Sequence, residues 1–104
     1  MNNDQITSLA REYAEKEIAT DLPNITDYAK ERTISAVAGW TETVIRFLLR
    51  RYCLVEKSKI LEAYKDAQKD QYNSEGDFAL TLAGRNRSAV LIDLFPEIAK
   101  EVAG

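Results

Sequence analysis

The sequence predicts an all-α fold: a single-domain bundle of four to six helices around one long central helix at about residues 25–55. Three observations carry this expectation. The stretch 25–55 holds no proline and one glycine, Gly39. Within it Ile34, Val37, Thr41, Val44, Leu48, Tyr52 and Val55 recur three or four residues apart, the spacing that returns side chains to one face of an α-helix. With Ile45, Leu49, Trp40 and Phe47 on either side, the apolar arc covers roughly 220° at 100° per residue. A helix apolar over so wide an arc calls for neighbours on two sides. The whole chain has only four glycines and two prolines, few for a β-rich or loop-rich domain.

The other elements follow in order. Asp4 is placed to cap a first helix ending near Thr20, with Ile6, Leu9, Ala10, Tyr13 and Ile18 inward and a charged face of Arg11, Glu12, Glu15, Lys16 and Glu17. Asp21-Leu22-Pro23-Asn24 interrupts it, and Asn24 with Asp27 three residues later has the form of a capping box for the long helix. Arg46, Arg50 and Arg51 fall in that helix's last turns, where cations complement the macrodipole. Glu56-Lys57-Ser58 reads as a link, with Ser58 as cap of a third helix whose inner face is Ile60, Leu61, Tyr64, Ala67 and Tyr72. Asn73-Ser74-Glu75-Gly76 reads as a loop. Asp77 then caps a short helix through Ala83, which Gly84 ends. The run Ala89-Val90-Leu91-Ile92 fits a buried helix or a buried strand. Helix is favoured because no second strand is at hand to pair with it. Pro96 opens a last short helix, about 96–102.

Composition narrows the function. A chain of 104 residues, 45% apolar and 30% charged, is sized and balanced for one soluble domain, 1–104. The net charge of −3 disfavours broad binding to phosphate backbones. There is no histidine, which removes His-based triads, Cys–His pairs and imidazole metal sites. Cys53 is the only cysteine, so neither an intrachain disulfide nor a thiolate metal cluster can form. The calcium-loop spacing and glycine-rich phosphate loops are missing too. No catalytic residue, metal or cofactor is therefore expected. Glu75 and Asp77 read as turn and cap residues, and Cys53 as a small buried hydrophobe. The N-terminus lacks the basic start and apolar run of a signal peptide, and no apolar run approaches the roughly 18 residues of a membrane span. A cytoplasmic protein is the expectation.

What remains points to a non-enzymatic module that binds another protein or a second copy of itself. The residues singled out are Arg46, Arg50 and Arg51, with Trp40 and Phe47 as the adjoining apolar flank. Trp, aromatic and Arg residues are enriched at such surfaces. Glu42, one turn before Arg46, is its expected partner. The tyrosines Tyr13, Tyr28, Tyr52, Tyr64 and Tyr72 read mainly as core residues with hydroxyls at the rim. The alternative is a small DNA-binding regulator. Its helix-turn-helix-like corner would lie at about 77–94, with Arg85, Asn86 and Arg87 facing the nucleic acid. Apolar Leu91, Ile92 and Leu94 crowd the expected reading helix, and the acidic total charge weighs against it.

Overall fold

A computed structural model describes residues 2–103 of the chain. It is all-α: five α-helices and one 3-10 turn, with no strand among the described residues. The chain divides into two compact units, 1–46 and 47–104, and the division falls inside the second helix, between Arg46 and Phe47.

The first unit pairs α1 (Asn3–Asp21) with most of α2 (Asp27–Arg51). Asn2, not Asp4, caps α1. Its side-chain oxygen accepts from the Gln5 backbone N–H at 2.9 Å, and the Gln5 side chain accepts from the Asn2 N–H at 2.8 Å. This reciprocal box satisfies two orphan donors, and Asp4 falls in the first turn, where its charge suits the dipole. Thr26, not Asn24, caps α2, its hydroxyl accepting from the Ala29 N–H at 3.3 Å. Pro23 and Asn24 are taken up by the preceding turn, in which the Ile25 N–H donates to the Leu22 carbonyl at 3.2 Å. The helices run antiparallel. Asn3 at the start of α1 accepts from Arg46 at 2.9 Å, and Ala14 and Ile18 pack with Ile34, Ile25, Val37 and Ala38.

The fully buried positions of α2 are Ile34, Thr41, Ile45 and Leu48, confined to a stripe of roughly 60° at 100° per residue. The wide apolar arc is thus only partly buried, and Trp40 and Phe47 at its margin remain 38% and 36% exposed. Buried Thr41 satisfies its hydroxyl by donating to the Val37 carbonyl one turn back, at 2.7 Å. The helix also stops sooner than its spacing suggests. After Arg51 the chain turns out, so Cys53 and Val55 are exposed instead of buried on an inner face.

In the second unit the last residues of α2 are followed by α3 (Lys57–Tyr72), α4 (Phe78–Leu94), a 3-10 turn (Pro96–Ile98) and α5 (Ala99–Ala103). Glu56 stands at the N-cap of α3 without a side-chain cap bond, and Ser58 lies inside the helix. Asp77 caps α4 as expected, accepting from the Leu80 N–H at 3.0 Å. Glu75 and Gly76 both take positive φ in the loop before it, a conformation glycine adopts freely and other residues rarely do. The main correction concerns Gly84. It ends no helix: α4 runs unbroken from Phe78 to Leu94, carrying 89–92 in helical form.

Gly84 is instead a contact residue. A Cβ placed there would come within 2.5 Å of the Ala67 carbonyl oxygen and the Gln71 nitrogen on α3. Ala63 and Ala67 on α3 are fully buried, as are Val90 and Leu91 on α4. The Gln68 amide of α3 donates to the Ser88 hydroxyl at 2.9 Å, and that hydroxyl donates to the Gly84 carbonyl at 2.9 Å. The two helices are antiparallel and approach almost backbone to backbone. The side chains of Lys57 and Glu101 then pair α3 with α5, and Ile98 is wholly buried.

Two substitutions test this packing by urea denaturation. Leu48→Ala, at a fully buried site, is expected to cost about 2–5 kcal/mol; a loss under about 1 kcal/mol means the facing of α2 is wrong. Gly84→Ala improves helix propensity by about 1 kcal/mol, yet the crowding at α3 is expected to leave a net loss of about 1–3 kcal/mol. A more stable Gly84→Ala protein would contradict the close approach.

Candidate interaction surface

The five residues expected at a partner surface divide between the two units. Trp40 and Arg46 belong to the first, Phe47, Arg50 and Arg51 to the second. Arg46 is engaged at once. It donates to Glu42, the expected partner, at 2.7 and 3.3 Å and to Asn3 at 2.9 Å, so it ties α2 to the start of α1. Phe47 is also occupied. The guanidinium of Arg51 lies 5.9 Å from its ring centroid and that of Arg87 lies 5.5 Å away, both within cation–π range. Arg50 is exposed.

The residues of the nucleic-acid alternative do not form a common face. Arg85 is exposed and Asn86 half-buried. Arg87 is only 8% exposed; it pairs with Asp70 of α3 and sends its Nε–H toward the Ala83 carbonyl at 3.4 Å. Its position between the Phe47 ring and Asp70 makes it a tie among three helices. With α4 unbroken, there is no turn at 84–88 to present a second, reading helix.

Further polar ties shape the second unit. The Tyr52 hydroxyl donates to Asp66 at 2.6 Å. Burial pushes this phenol above its usual range, and Asp66 pushes the same way, because ionisation would set two anions across one hydrogen bond. Tyr28 and Tyr72, read as inner-face residues, are among the most exposed large side chains. Tyr13 alone of the five tyrosines is fully buried.

The open surface lies on the outer side of α2 in the first unit. Tyr28, Ser35, Ala36, Gly39, Trp40 and Thr43 are all exposed there. Gly39 has nothing within 4 Å of an added Cβ, the opposite of Gly84. The Thr43 hydroxyl donates to the Gly39 carbonyl at 3.2 Å, the same bond that Ser88 makes to Gly84. Exposed Arg32 adds a positive charge to this side. Sequence reasoning named Trp40 but passed over Gly39, whose importance rests on an emptiness that only coordinates reveal.

No group of three or more Cys, Asp or Glu side chains that could hold a metal occurs among the described residues. A shallow depression at the start of α1, lined by Asn2, Asp4, Gln5, Ser8 and Leu9, has Asp4 as its carboxylate. The chain matches no protein-family model, and neither the curated proteins nor the solved structures show a detectable similarity to it.

Beside the open face, Arg11 of α1 donates to Glu31 of α2 at 2.8 Å and to Glu15 at 2.9 Å. That hydrogen bond holds the Glu31 carboxyl below its usual range, and Glu31 with Glu15 raises the Arg11 guanidinium. A depressed carboxyl stabilises the folded state above the unfolded-state pKa of about 4.3, and the contribution is lost as pH falls through the lower folded value. In an NMR titration Glu31 is therefore expected below the ordinary glutamate range and to return to it in Arg11→Gln. An unchanged Glu31 midpoint in that variant would remove the pair from solution.

Proposed function

We propose that the chain is a non-enzymatic interaction module that receives a helix of a partner protein on the exposed side of α2. The observation that carries this reading is Gly39. A glycine in mid-helix costs about 1 kcal/mol relative to alanine, and here no intramolecular contact calls for it. At Gly84 the same residue type lets α3 come close. At Gly39, between exposed Ser35 and Thr43, it leaves room for a helix that the chain itself does not supply. Trp40 beside it, and Tyr28 about three turns earlier on α2, offer large, stiff aromatic contacts of the kind that dominate binding energy. Arg32 favours a partner helix bearing carboxylates.

The reading separates stability from binding. Gly39→Ala is expected to raise stability by about 0.5–1 kcal/mol while weakening partner capture, because the new methyl group holds the approaching backbone away. Trp40→Ala is expected to weaken capture with the fold retained. Quantitative affinity capture from extracts of the source organism, comparing parent, Gly39→Ala and Trp40→Ala, reads both effects. Equal capture of every protein by all three would show that this face is not the interface.

A further inference from the structure

We draw no further inference here: the strongest candidate, the exposed stripe of α4 at Phe78, Leu82, Arg85 and Ala89, carries none, because nothing in the structure shows what covers it.

Discussion

The second unit depends on how closely α3 and α4 approach at Gly84. Because Gly84 has no side chain, the α4 backbone sits where a Cβ would strike the Ala67 carbonyl and the Gln71 nitrogen. The small buried residues Ala63, Ala67 and Ser88 extend this contact along the pair. Short separation sets the distance at which Gln68 meets Ser88 and Arg87 meets Asp70. A wider spacing would leave those polar groups half-buried without partners, which costs more than the bonds themselves gain. The polar network is thus a consequence of the steric fit.

Comparison of the two mid-helix glycines explains why the same sequence pattern has two meanings. Both accept a hydroxyl bond from the residue four positions on, Ser88 in one case and Thr43 in the other. One faces a packed helix and the other faces open space. Local chemistry is the same, so no inspection of either segment alone tells them apart. Tertiary packing assigns structural duty to Gly84 and leaves Gly39 without an internal one.

Arginines show a similar divergence. The cluster at the end of α2 reads in sequence as a surface feature, yet Arg46 joins Asn3 as well as the expected Glu42, and Arg51 covers Phe47. Arg87, expected at a phosphate, lies against Asp70 instead. Arginine has both a long apolar stem and a five-donor head, so its sequence position constrains its destination weakly. Arg85, two residues away, points the other way because two residues on a helix turn the side chain by about 200°.

The sequence by itself determined the all-α class, the order of the helices, the loop at 73–76 and the Asp77 cap. It also identified buried Leu48, Ile34 and Ile45, because periodicity and capping are local properties that need no knowledge of neighbours. It misplaced the caps at Asn2 and Thr26, where two polar residues within reach of one helix start compete and the turn geometry chooses. It broke α4 at Gly84, since a glycine that ends a helix and one that admits a neighbouring helix look identical in one dimension. Which apolar residues stay exposed was decided only in three dimensions. Phe78, Leu82 and Trp40 are as hydrophobic as the core, and only the positions of the other helices determine whether anything within the chain covers them.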